Sequence, residues 1–320
     1  MTQNLERWLF GVFSKAVSYK SLGRATILTF HRVSDNNSLF EQEEVGILEF
    51  RDKMRLLKKH FNVVSIEELL NANFNGDLKP YTVAITIDDG YEDCYSVITP
   101  ILDELKLPGA FFITTEGIEQ GGLWNDKIAN ALLLTEQQSI HIDDEEIFID
   151  DDVSRCAAFG KILVKCKYKK LHERSQFIAL LNEQCKTEFT DYDFLTEDKI
   201  RAMANAGMII GAHTHSHPIL AVEDEQVCIT EIKESKDILE NITGTSIKHF
   251  AYPNGMVGRD FNGKHESMLK ELGFESGFST TWGHFSPDSN RFAIPRFTPW
   301  DKNIYRFAFR LVRHSCKKYG

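Results

Sequence analysis

Six short apolar runs punctuate the chain: ATILTF at 25–30, TVAITI at 82–87, GAFFI at 109–113, MIIGA at 208–212, KHFAY at 248–252 and ESGFS at 275–279. Several are continuous rather than alternating in polarity, the signature of strands buried on both faces. The stretches between them read as helices. Residues 48–60 repeat apolar positions at Phe50, Met54 and Leu57, and Ser65 with Glu68 forms a capping box for a short helix. Thr196 reads as an N-cap, Gly207 as the stop of the helix after it, and a longer helix covers about 223–242 and ends at Gly244. This alternation predicts an α/β fold, a parallel sheet closed or nearly closed into a (β/α) barrel.

One segment breaks the rhythm. Residues 116–195 are longer than a βα connection requires; they hold IHIDDEEIFIDDD, an acidic hairpin, and helical patterns around 157–186. We read them as an insertion on the C-terminal face of the barrel, where loops build active sites. The predicted organisation is an amphipathic helix in 1–24 and a barrel domain over 25–320 carrying the insertion. The N-terminal pattern puts Trp8, Leu9, Val12, Phe13, Ala16 and Val17 on one side of that helix. Such a helix either packs on the domain or lies on a membrane surface. The basic C-terminus, with Arg310, Arg313, Lys317 and Lys318, favours the second option.

Composition narrows the classes. At 320 residues and 42% hydrophobic, the chain suits one barrel with an insertion. A formal charge of −10 gives no electrostatic footprint for nucleic acid, so none is expected as a partner. Six scattered cysteines without CxxC pairs suggest neither a zinc knuckle nor a dense disulfide framework, and fit a reducing compartment. No apolar run of about 18 residues could span a bilayer. Glu6, Arg7 and Lys15 interrupt the N-terminus, which lacks the apolar core and cleavage site of a signal peptide. The expected location is therefore cytoplasmic, with peripheral contact at the inner face of the membrane.

The chemistry-bearing residues stand at strand ends. Asp88 and Asp89 follow TVAITI and precede Gly90, so adjacent carboxylates leave the strand in different directions. One can bind a metal while the other faces a substrate; alternatively, Asp-Asp-Gly is simply a turn. In HTHSHP, His213 and His217 have the i, i+4 spacing that puts two imidazoles on one metal if the turn is helical, with His215 on the other side. One Asp and two His make a facial triad with positions left open for water and substrate.

TIDDG, then HTHSHP, then FAYPNG at 250–255 closely resembles, in the same order, the motifs of the polysaccharide deacetylase family, the NodB-homology carbohydrate esterases. The similarity covers about 82–115 and 205–300. It implies a distorted (β/α) barrel that removes acetyl groups from N- or O-acetylated glycans with a divalent metal, zinc or another such as Co2+, Ni2+ or Mn2+. By that resemblance Asp88 is the general base and Asp89 the carboxylate ligand, while His213 and His217 are the imidazole ligands. Asn254 falls where a backbone N–H stabilises the oxyanion, within the turn that begins at Tyr252, and the resemblance places Tyr252 with it among the oxyanion and substrate residues.

Three features depart from the family pattern. Ala251 stands where an arginine often orients the base; Arg296, in AIPRFTPW, either supplies that guanidinium or is a plain surface arginine. The late histidine that serves as general acid is missing, and His31 and His284 are substitutes, His31 being better placed at the end of a strand. The long insertion replaces a short loop. Within it Trp124 either stacks on a sugar face or is buried in the insertion's own core. The expected substrate is an N-acetylated glycan or a lipid-linked sugar precursor. The rival readings are an O-acetyl esterase or cyclic amidase of the same superfamily, a catalytically silent glycan-binding protein, and a scaffold recruited by the N-terminal helix.

Overall fold

The computed structural model describes residues 18–35, 39–40, 45–75, 78–190, 193–286 and 288–317. In chain order the first half builds β1 (Ala25–Phe30), α1 (Ile47–His60), β2 (Asn62–Val63), α2 (Ile66–Asn75), β3 (Thr82–Ile87), α3 (Thr99–Glu104) and β4 (Ala110–Ile113). Then come α4 (Glu116–Gln120), α5 (Trp124–Leu134), β5 (Ser139–Ile142), β6 (Glu145–Phe148), α6 (Asp152–Lys167) and α7 (Leu171–Cys185). The last third adds α8 (Glu197–Asn205), β7 (Ile209–Ala212), α9 (Glu225–Thr243), β8 (His249–Ala251), α10 (Gly263–Glu271), β9 (Ser276–Phe278) and α11 (Ile304–Cys316).

Strands β1, β3, β4, β7, β8 and β9 lie side by side in that order, all parallel, and the short β2 pairs with β3. Every residue of β1 and β3 is buried, as continuous apolar runs require. Alternate side chains serve two layers. Leu28, Val83, Ile85, Ile87 and Phe111 join the large cluster that packs against helices. Ala25, Ile27, Ala84, Ala110, Phe112, Ala251 and Phe278 fill a second cluster on the other face of the sheet.

The sheet curls until its edges nearly meet, and residues 294–297 bridge the gap. Ile294 N–H donates to Gly277 of β9 at 2.8 Å, and Phe297 N–H donates to Ile27 of β1 at 2.7 Å. The ring is thus a distorted (β/α) barrel closed by irregular chain, and that closing stretch carries Arg296. Between β4 and α8, the pair β5–β6 and helices α5, α6 and α7 enclose a separate apolar cluster including Ile128, Ile162 and Leu181.

Local chemistry explains most boundaries. Ser65 and Glu68 exchange reciprocal cap bonds at 3.0 and 2.8 Å ahead of α2. Gly244 ends α9 with φ +67°. Thr196 does precede α8, but its side chain accepts no cap bond. Trp8, Leu9, Val12, Phe13, Ala16 and Val17 of the expected N-terminal helix lie outside the described residues, as does Lys318. Among the described residues, no helix is long and apolar enough to cross a membrane.

Candidate active site

The site begins where β3 ends. Asp88 still donates its N–H to Phe30 of β1 at 2.9 Å, as the next rung of the ladder. Asp89 and Gly90 then turn the chain sharply, with φ +77° and +102°. A side chain at position 90 would meet Ile113 Cγ2 at 2.8 Å, so glycine is required for space as well as for backbone conformation. This turn separates two consecutive carboxylates, one directed at Arg296 and one at the histidine loop.

Arg296 holds Asp88 in a fork, Nη1 donating to Oδ1 and Nη2 to Oδ2, both at 2.7 Å. Arg296 Nε–H donates to the Ser279 carbonyl at 2.9 Å, and Nη1 also reaches the Thr86 hydroxyl at 3.2 Å. The guanidinium is fully buried, above the Phe112 ring. It is a core group and not a surface arginine. Burial opposes ionisation of Asp88, but the charges of Arg296, His213 and His31 outweigh it and hold the carboxyl below the usual carboxylate range.

Asp89 meets the residues that follow β7. Its Oδ1 lies 3.5 Å from His213 Nε2 and 3.6 Å from His217 Nε2. These three donor atoms fall within 4.8 Å of one another. The helical turn that the i, i+4 spacing would need over 213–217 does not form. The segment is an irregular loop in which Thr214 and His217 have φ of +66° and +56°, and this backbone, not helical periodicity, brings the imidazoles together. His215 turns away, its Nδ1 2.9 Å from the Thr115 hydroxyl.

The donor set suits a divalent cation. His213 Nδ1 is 2.7 Å from the Ala251 carbonyl, an acceptor only, so the proton sits on Nδ1 and leaves Nε2 for a metal. Two imidazoles and a carboxylate match zinc and its first-row neighbours. Burial pushes His217 down to about 3, helped by the His213 and Arg174 charges, which favours the neutral ligand form. Burial would lower His213 too, but Asp89 and Asp88 outweigh it and raise it.

The loop is gripped from both sides. Arg174 of α7 donates to the Ser216 and His217 carbonyls, and Glu231 of α9 accepts from the His215 and Ser216 N–H groups and the Ser216 hydroxyl. Neither residue stands out in the sequence, where each is a charge on an amphipathic helix.

The remaining candidates divide. His31, exposed, shares with Asp89 the lining of a cavity of about 950 Å³ on this rim. His284 lies at the other end of the barrel, beside Phe285, which pairs with the first residue of β1. Tyr252 is unavailable to a substrate: its hydroxyl donates to Phe292, its N–H to Phe278, and its ring stacks on Phe261 at 3.6 Å. Asn254 sits two residues further along the same turn with φ +57°, and its N–H has no acceptor among the described residues. Trp124 is 8% exposed, in the insertion's own cluster, so it offers no sugar platform. The exposed indole on the cavity is Trp300, 58% accessible, which no sequence motif marks.

Comparison with known proteins completes the description. The family model described as polysaccharide deacetylase matches residues 75–277. A poly-β-1,6-N-acetyl-D-glucosamine N-deacetylase of Staphylococcus aureus strain MRSA252 is 22% identical over 88% of this chain and 80% of its own length. Among solved structures, the Streptococcus pyogenes deacetylase PplD in complex with acetate aligns with TM-score 0.58 and 20% identity, over 86% of this chain and 92% of that one. IcaB from Ammonifex degensii aligns with TM-score 0.56 and 15% identity, over 89% and 97%.

Proposed function

The chain belongs to the polysaccharide deacetylase family, hydrolases of non-peptide carbon–nitrogen bonds, and on that premise we propose that it removes the acetyl group from an N-acetylated sugar. The substrate would be a polysaccharide or a lipid-linked glycan precursor. One observation carries the reading: Asp89, His213 and His217 converge from two strand ends beside the ion-paired Asp88. Relatives named as poly-β-1,6-N-acetyl-D-glucosamine N-deacetylases support an N-acetylglucosamine polymer as substrate.

Asp89, His213 and His217 would hold the divalent cation, zinc or a neighbour such as Co2+, Ni2+ or Mn2+. When bound, that ion supplies Lewis acidity to the acetyl carbonyl and acidifies a water. Asp88 accepts the proton of the attacking water at a carboxylate oxygen, while the Arg296 fork fixes its plane and keeps it ionised. As the carbon–oxygen bond forms, the Asn254 N–H donates to the oxygen gaining charge. When the carbon–nitrogen bond breaks, His31, on the cavity rim, delivers a proton to the leaving nitrogen. The products are acetate and a free amine.

We further propose that the protein works on the cytoplasmic side against an anionic membrane. The amphipathic sequence of residues 1–17 supports this, as does α11, which exposes Arg306, Phe309, Arg310 and Arg313 and contains no acidic residue. Flotation with phosphatidylglycerol vesicles, with and without residues 1–17, tests it; protein left unbound at low salt argues against it.

The test of the reaction is release of acetate together with free amine from β-1,6-linked N-acetylglucosamine oligomers by metal-loaded protein. Acetate without amine would identify an O-acetyl esterase. Bound metal with neither product would leave a glycan-binding protein.

A further inference from the structure

The two histidines at the ends of the 213–217 loop are held by different means. His213 is fixed through its ring, Nδ1 donating to the Ala251 carbonyl at 2.7 Å. The buried Nδ1 of His217 makes no hydrogen bond among the described residues. Metal-binding imidazoles are usually oriented by a partner on that second nitrogen. Here the backbone must do it. The loop includes two non-glycine residues in the left-handed region, a shape the local chain does not select unaided.

Arg174 supplies the grip on the carbonyl side, opposite Glu231 on the N–H side. Its guanidinium donates to the Ser216 carbonyl at 2.6 Å and to the His217 carbonyl at 3.1 Å. The residue is 3% exposed, and its guanidinium lies 4.9 Å from the Trp124 ring centre. A charge so buried persists only where partners offset its lost hydration. Two adjacent carbonyls and an aromatic face are those partners, and both Arg174 and Trp124 belong to the segment between β4 and α8.

We propose that Arg174 is a positioning residue for His217: through it, and with Trp124 backing the guanidinium, the 116–195 insertion holds the 213–217 loop so that His217 joins Asp89 and His213. The proposal rests on reading those three residues as the metal site. It makes cation affinity a property of the insertion as well as of the barrel.

The experiment compares Zn2+ affinity, by competition with a chromophoric chelator, and the visible spectrum of Co2+-loaded protein in full-length wild type, Arg174→Met, Arg174→Lys and Ile162→Ala. Arg174→Met should bind Zn2+ about 10–100-fold more weakly and shift the cobalt bands, with partial recovery in Arg174→Lys. Ile162 is fully buried in the insertion's cluster and offers no polar group to the clamp. Its truncation should lower the melting temperature yet leave Zn2+ affinity within about twofold. Wild-type affinity and cobalt bands in folded Arg174→Met would overturn the proposal. So would an equal affinity loss in Ile162→Ala at a matched fall in melting temperature. If Arg174→Met does not fold, folded Arg174→Gln, which lacks the charged fork, takes its place, and wild-type affinity and cobalt bands there overturn the proposal. Wild-type protein that binds no metal removes the site reading itself, a separate result.

Discussion

His213 and His217 meet edge to face at 4.9 Å and 68°, at the C-terminal ends of the strands; His284 and His314 meet at 4.6 Å and 62°, at the opposite end. As ring pairs they are nearly interchangeable, and their surroundings make them different. The first pair faces Asp89 from 3.5 and 3.6 Å, with Asp88 and its arginine alongside. The second pair hydrogen-bonds to the Lys317 and Gly283 carbonyls, and burial holds His314 at about 3. Both cost desolvation; among the described residues, the first has a carboxylate to share with a cation and the second shows none. Two close imidazoles are therefore not a site until a third donor of opposite charge completes them.

The sharpest way to break this comparison is to remove one member of each cluster. Asp89→Ala or His213→Ala should abolish metal binding and lower acetate release about 10³-fold or more, the several kcal/mol expected of Lewis-acid stabilisation. His284→Ala should leave both within about twofold, since it removes no ligand. Metal analysis and initial rates decide, and metal loss in His284→Ala would erase the distinction.

Asp88→Asn separates base from ligand. It should keep the metal and lose about 10²–10⁴-fold in kcat; wild-type turnover would remove Asp88 as the base. Arg296→Met leaves a buried carboxylate without its cation and should cost about 3–5 kcal/mol of stability, read from denaturant midpoints.

The histidines away from the site predict a pH dependence. Folding lowers His249 to about 4 and His314 to about 3 from the ordinary 6.5, mainly by burial. The unfolded chain therefore takes up protons first, so their contribution to stability is complete above the ordinary value and is lost as the pH falls through the folded values. Denaturation midpoints should drop as the pH falls from about 6.5 toward 4, and His314→Phe should flatten that slope. The smallest effect is expected at the cavity rim. Trp300→Ala should raise KM several-fold, with kcat nearly unchanged, if the ring only supplies a stacking surface.

Much of this molecule is legible in its sequence, for identifiable reasons. The six strands β1, β3, β4, β7, β8 and β9 of the barrel fall within about two residues of their apolar runs, because strands buried on both faces carry continuous apolar sequence. The two-residue β2 leaves no such trace. Asp88, Asp89, His213 and His217 stand out because unusual residue types cluster just past apolar runs. Tyr252 and the open choice at Trp124 could not be settled in advance, because exposure is not written in residue type. Both are amphipathic rings that a core accepts, and the core has taken both.

What the sequence settles alone is therefore periodicity and inventory: where strands and helices run, and which groups are available for chemistry. Tertiary structure decides pairing. Only the closed sheet brings Arg296 across 208 positions to Asp88, and only the packed insertion sets Arg174 on the His217 carbonyl. The physical reason is that these contacts join groups distant along the chain, fixed by the curl of a sheet and by backbone conformations that no local pattern encodes.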